Sequence, residues 1–128
     1  MSRILVIDDM KETAELFGML LESHGHEVFM AFDGNQGIET ARIQKPDLVI
    51  TDLFMAPKPG IDTIIQLKRE FPMLKIIAVS ASVGSMNFLK LAKGMGADRV
   101  FEKPVDPEVL LRGVQDVLDS IGLAKSSV

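Results

Sequence analysis

The stretch Leu48-Val49-Ile50-Thr51-Asp52-Leu53-Phe54-Met55 sets a carboxylate between two apolar runs. Its first part shows none of the apolar/polar alternation of a half-exposed strand and reads as a strand covered on both faces. Strands of that kind belong to parallel sheets flanked by helices, whose ligands bind beyond the carboxyl ends of the strands. Asp52 is therefore either a cap for whatever follows the strand or a group held at that edge to react.

Four further short apolar runs share this character: Ile4-Leu5-Val6-Ile7, Val28-Phe29-Met30-Ala31, Ile76-Ile77-Ala78-Val79 and Val100-Phe101. Between and after them, apolar residues recur at helical spacing, as Phe17, Leu20 and Leu21; Ile38 and Ala41; Ile61, Ile64 and Ile65; Phe88, Leu91, Ala92 and Met95; and Leu110, Val114, Val117, Leu118 and Ile121. Each set predicts one buried helical stripe. Gly25 after the first helix, Asp33-Gly34 as a turn, Lys45-Pro46 ending the second helix and Asp106-Pro107 opening the last supply matching punctuation. Five successive βα units predict a doubly wound α/β fold with a five-stranded parallel sheet.

The 128 residues suit one domain, expected over 1–122, with 123–128 as a short C-terminal tail. With 47% of residues apolar and 25% charged, the composition is that of a globular protein. No apolar run approaches the roughly 18 residues needed to cross a bilayer, and the N-terminus has no secretory pattern, so a cytoplasmic protein is expected. The lack of cysteine rules out disulfides, thiolate metal sites and cysteine nucleophiles. A net charge of -4 without a basic cluster makes direct binding to nucleic acid or an anionic membrane unfavourable.

At the ends of the strands stand Asp8-Asp9 after the first, Asp52 at the third, Ser80-Ala81-Ser82 at the fourth and Lys103-Pro104 at the fifth. The topology brings all of them to one edge. Any one alone reads more simply as a helix cap or a loop residue. Together they are harder to explain structurally, because three gathered carboxylates repel one another unless a cation sits among them. Ligands that are all oxygen favour a hard ion, and Mg²⁺ is the usual choice where carboxylates meet a phosphate. An acidic nest, a separate carboxylate, a hydroxyl and an ammonium are the parts needed for phosphoryl transfer to Asp.

In this set of residues the chain resembles the receiver domain of bacterial two-component response regulators, over essentially its full length. The resemblance implies a flavodoxin-like (βα)5 sheet of order 2-1-3-4-5, with the first and third strands adjacent. It implies Asp52 as phosphoacceptor, Asp8, Asp9 and Asp52 as Mg²⁺ ligands together with the backbone carbonyl of Phe54, Ser80 as the switch hydroxyl and Lys103 as the partner of the phosphoryl oxygens. A cis Lys103-Pro104 bond is expected with it. The implied donor is a sensor histidine kinase or a histidine phosphotransfer protein, and the implied output is an altered surface read by another protein. Catalysis would be limited to self-phosphorylation and autodephosphorylation.

The sequence departs from the family pattern in three places. Val100 stands where an aromatic residue is frequent, with Phe101 beside it on the opposite face of the strand. The loop Ala56-Pro57-Lys58-Pro59-Gly60 lacks the usual Pro directly after Met55 and the acidic residue before the Gly. Phe54 and Ser82 flank the path of a hydrolytic water, and a bulky apolar residue there predicts a shielded acyl phosphate.

Three other functions compete. A scaffold that needs no phosphate would gain nothing from a repulsive acidic cluster. A phosphohydrolase using an aspartyl phosphate would carry a second Asp two residues after the nucleophile, where this chain has Phe54. A flavin carrier would need a phosphate cradle after the first strand and a stacking Trp or Tyr, and has neither. Outside the site, His24 and His26 read as surface residues, the eight methionines as scattered and for the most part core filler, and Glu108, Arg112 and Asp116 as a solvated helix face.

Overall fold

In the computed structural model, which describes residues 2–55, 58–80 and 86–126, the five apolar runs hydrogen-bond as one parallel sheet. The elements alternate: β1 (Arg3–Ile7), α1 (Lys11–Glu22), β2 (Glu27–Ala31), α2 (Gly34–Gln44), β3 (Leu48–Asp52), α3 (Gly60–Glu70), β4 (Lys75–Ser80), α4 (Met86–Gly94), β5 (Arg99–Glu102) and α5 (Pro107–Ser126). The strand order is β2-β1-β3-β4-β5, as the family resemblance implied.

The alternation of side chains along each strand divides the core in two. Leu5, Ile7, Val49, Ile76 and Ala78 face α2, α3 and α4, where they meet Ile38, Ile64, Leu67 and Ala92. Ile4, Val6, Ile50, Ile77 and Val79 face α1 and α5, where they meet Ala14, Leu21, Leu110, Val114 and Val117. Covered on both sides, β3 is buried from end to end, which is why its sequence carries no polar alternation. The edge strands β2 and β5 are only partly covered.

Register fixes the level of the functional edge. Ile7 pairs with Thr51, so Asp8 follows beside Asp52; Asp52 pairs with Val79, immediately before Ser80; and Ser80 pairs with Glu102, immediately before Lys103. Four residues spread from position 8 to position 103 thus end at one height on neighbouring strands.

The helix boundaries show where chain signals acted. Asp33 is the N-cap of α2 rather than part of a free turn: its carboxylate accepts from Gln36 N–H at 2.7 Å, and the Gln36 side chain reaches back to Phe32 N–H at 2.6 Å. Lys45 closes the same helix in the left-handed conformation, φ 49°, one residue before Pro46. Asp106 caps α5, and that helix continues to Ser126, past residue 122.

Two expectations about packing are corrected. Of the apolar set expected to bury α4, Ala92 is buried but Leu91 and Met95 are exposed; Phe88 lies outside the described side chains. The methionines are mostly not core filler either: Met10, Met19, Met30, Met73 and Met95 are exposed, and Met55 is buried. Met10 precedes α1 and Met73 sits in the α3–β4 turn, where no second layer covers them, and Met30, on an edge strand, is covered only in part by α1 at Gly18. His24 is exposed, as expected, and His26 is half-buried. Phe101 and Val100 do face opposite ways; the Phe101 ring fills the space left by Gly113 of α5, where a Cβ would lie 2.5 Å from it.

Candidate phosphoacceptor and metal site

The carboxyl edge of the sheet brings Asp8, Asp9 and Asp52 together, with one carboxylate oxygen of each within 4.8 Å of the others. Asp8 and Asp52 are buried and Asp9 is exposed. Backbone amides aim the buried pair. Asp8 accepts from Met10 N–H at 2.9 Å, and Asp52 makes a long contact of 3.5 Å with Phe54 N–H. Both carboxylates fold back on the loop that follows their own strand, which fixes their direction.

Lys103 supplies the cation that three gathered carboxylates demand. Its ammonium donates to Asp8 at 2.7 Å and stands 3.9 Å from Asp52, although 95 positions separate it from Asp8. The sequence pointed to a metal for this role, and part of it is filled internally. Three carboxylates and one ammonium leave two negative charges (-3 + 1 = -2), a residual that suits a divalent ion. The donors are all carboxylate oxygens, the set expected for a hard cation, so the residues fit Mg²⁺.

Burial pushes the Asp52 carboxyl up to about 6 from its ordinary 3.8. The Lys103 ammonium works against this, the charge of Asp8 adds to it, Phe54 N–H opposes it and Asp9 adds a last contribution. Asp52 is therefore a carboxylate near neutral pH, and one with few favourable contacts, which suits a nucleophile. The consequence for stability has a definite sign. The folded state holds the Asp52 proton more tightly than the unfolded chain does, so this group favours folding below about pH 4 and ceases to as the pH rises through about 6. Asp52→Asn carries no charge at any pH. In chelator, it should melt above the parent protein at about pH 7.5, and the advantage should vanish towards about pH 4; a thermal unfolding series across that range checks it.

Ser80 is fully buried at the end of β4, and its carbonyl accepts from Lys103 N–H at 2.6 Å, which ties the two ends of β4 and β5 together. The Lys103-Pro104 peptide is cis, as expected. Phe54 is 44% exposed, so its ring lies outside the core. Ala81 and Ser82 lie outside the described residues.

Two contributors were missed in the sequence. Met10 contributes the amide that orients Asp8, a backbone role with no side-chain signature. Gly60 opens α3 directly against the strand that carries Asp52: its N–H donates to Leu53 C=O at 3.0 Å, and a Cβ there would lie 2.6 Å from Leu53 Cα and closer still to the Asp52 carbonyl oxygen. The Pro59-Gly60 pair was the available signal, since Pro followed by a residue without a side chain permits a close helix start.

A sequence model of the response regulator receiver domain matches residues 4–115. The chain is 34% identical to protein PilH of Pseudomonas aeruginosa, over 92% of this chain and 98% of that protein. It is 30% identical to the alkaline phosphatase synthesis transcriptional regulatory protein PhoP of Bacillus subtilis, covering 98% of this chain but only 52% of PhoP. Among solved structures, a response regulator receiver domain protein from Clostridium thermocellum superposes with a TM-score of 0.91 at 28% identity, over 97% of this chain and 99% of that one.

Proposed function

The chain belongs to the response regulator receiver domain family, whose members act as signalling switches, and from that premise we propose that it accepts a phosphoryl group on Asp52. The observation that carries the proposal is the buried Asp52 carboxylate beside Asp8 and Asp9, with the Lys103 ammonium 3.9 Å away. An Asp52 oxygen attacks phosphorus, the bond from phosphorus to the donor's nitrogen or oxygen breaks with its electrons leaving on the donor, and Asp52 becomes an acyl phosphate. Lys103 exchanges part of its contact with Asp8 for the new phosphoryl oxygens. Ser80, buried at the same level, offers its hydroxyl to one of them. Asp8, Asp9, Asp52 and the Phe54 carbonyl would hold Mg²⁺, which when bound neutralises the charge that opposes the approach of an anionic donor.

The donor in this reading is a sensor histidine kinase or histidine phosphotransfer protein, and the readout is an output protein that distinguishes the two charge states. A swing from 1:99 to 99:1 between two surfaces requires about 5.5 kcal/mol of preference, within reach of a few charge-assisted contacts. The domain spans 1–122 and works in the cytoplasm, without direct contact with nucleic acid or lipid; no helix among the described residues is long and apolar enough to cross a membrane. Chemistry is confined to the chain's own phosphorylation and dephosphorylation.

Incubation with Mg²⁺ and a small acyl phosphate, followed by intact mass measurement, tests the reading. One added phosphoryl group is expected on the parent protein and none on Asp52→Asn. Uptake by the Asn variant would relocate the acceptor, and no uptake by either would favour a phosphate-independent scaffold.

The exposed ring of Phe54 should also protect the product. Phe54→Asn gives an attacking water a polar partner, worth about 1.4 kcal/mol if one hydrogen bond forms in the transition state, and should speed dephosphorylation about tenfold. Following decay of the phosphorylated mass with time measures it, and an unchanged half-life would remove the shielding role.

A further inference from the structure

At the opposite edge of the sheet from Asp52, a cavity of about 580 Å³ opens between the α2–β3 and α3–β4 connections. Ala41, Phe71, Leu74 and Ile121 give it apolar walls, and Lys45, Asp47 and Glu70 line it as well. Ile121 reaches this place because α5 is long. Ile121 is the fifteenth residue of the helix and lies about 21 Å along it, whereas β3 and β4, at five and six residues, span about 17–20 Å and β5 only four residues, so the helix reaches the amino edge at Ile121.

Two features of the rim say what fills the cavity. Met73, on the rim itself, is 83% exposed, the highest exposure among the large apolar side chains of the described residues. A flexible, unbranched side chain pointing to solvent beside an apolar hole is a knob next to its own socket, and Met adapts to irregular gaps. The rim also carries both signs of charge. Lys45 is exposed and forms no ion pair among the described residues, the Asp47 carboxylate accepts from Arg3 N–H at 2.9 Å and keeps its charge, and the Glu70 carboxylate is already held by Arg42 at 2.8 Å. A patch that holds knob, hole, cation and anion together is complementary to itself, which is the requirement of a two-fold interface.

We propose that the amino edge is a homodimer surface, in which Met73 of each copy enters the cavity of the other and Lys45 faces the partner's acidic rim. An apolar small molecule would use the cavity but would leave the exposed Met73 and the charges of Lys45 and Asp47 without a role. The surface lies across the sheet from Asp52, so a dimer formed this way keeps both acceptor sites open to a donor. The proposal does not depend on phosphorylation.

Sedimentation equilibrium of the full chain over a concentration series tests it. The mass should rise from 14.0 kDa towards twice that value as concentration increases. Met73→Glu should weaken association at least tenfold, because the substitution is present twice in each dimer, and Lys45→Glu should weaken it in the same direction. Met73 is exposed, so circular dichroism of its variant should match the parent and exclude unfolding as the cause. Leu16→Glu, on the exposed face of α1, should leave association unchanged. A chain that stays monomeric to its solubility limit overturns the proposal, as does a dimer indifferent to Met73→Glu or one broken by Leu16→Glu.

Discussion

Lys103→Met is expected to lower the stability of the metal-free protein by about 3 kcal/mol, the scale found when one partner of a buried ion pair is removed. The Lys103 and Asp8 side chains are 15% and 3% exposed and bonded at 2.7 Å, so water is a poor replacement for the lost ammonium. Asp8, Asp9 and Asp52 would then face one another without a cation. Two companion results separate this cause from loss of packing. Added Mg²⁺ should recover a large part of the deficit, and Asp52→Asn in the same background should recover part of it without metal. Urea unfolding with and without Mg²⁺ gives all three numbers. A Lys103→Met protein with the parent's midpoint in chelator would show that the ion pair contributes little. In the proposed function the same variant should also take up phosphoryl groups slowly even when folded, since no ammonium meets the incoming oxygens.

Gly60→Ala should have an effect of similar size by a different route. The added methyl group would meet the backbone of Asp52 and Leu53, which cannot rotate away as a side chain could. Relief requires α3 to withdraw or the end of β3 to shift, at a cost of about 2 kcal/mol. Either movement drags Asp52, so uptake from a small acyl phosphate should fall together with stability. Gly94→Ala makes the control, because the space around a Cβ there is open, and its unfolding midpoint should stay the same or rise. Equal behaviour of the two variants would mean that the contact at Gly60 yields freely.

How far the fold could be read in the chain depended on whether a residue's environment was set by its own element. Leu48–Asp52 is covered on both faces, and its unbroken apolar run said so. The five-unit alternation predicted the parallel sheet, while its strand order came from the family resemblance. Leu91 and Met95 show where periodicity stops being informative: helical spacing marks the face turned to the sheet, but not whether the sheet extends far enough to cover it, and α4 packs over the β4–β5 edge. The scattered methionines failed for the same reason, since Met30 on an edge strand and Met73 in a turn look no different in sequence from Met55 in the core.

The site was legible as a set of strand ends, because parallel strands put their carboxyl termini on one edge whatever the details. Its electrostatic arrangement was not. Lys103 follows β5, which two strands separate from β1 in the sheet, and only the folded register shows that its ammonium chooses Asp8 at 2.7 Å over Asp52 at 3.9 Å. The role of Gly60 was hidden similarly, since a missing side chain gives no sign of what approaches it.

The bond between Lys103 and Asp8 joins the first strand of the chain to the loop after the last. A polypeptide still emerging from the ribosome can assemble β1 through β4 and gather all three carboxylates before residue 103 is available, and at that stage the acidic cluster is uncompensated. Closing a contact across 95 positions is among the slowest steps open to the chain. The reactive edge is therefore completed only when the last strand docks and brings its ammonium to Asp8, so full-rate chemistry at Asp52 reports that the sheet has closed.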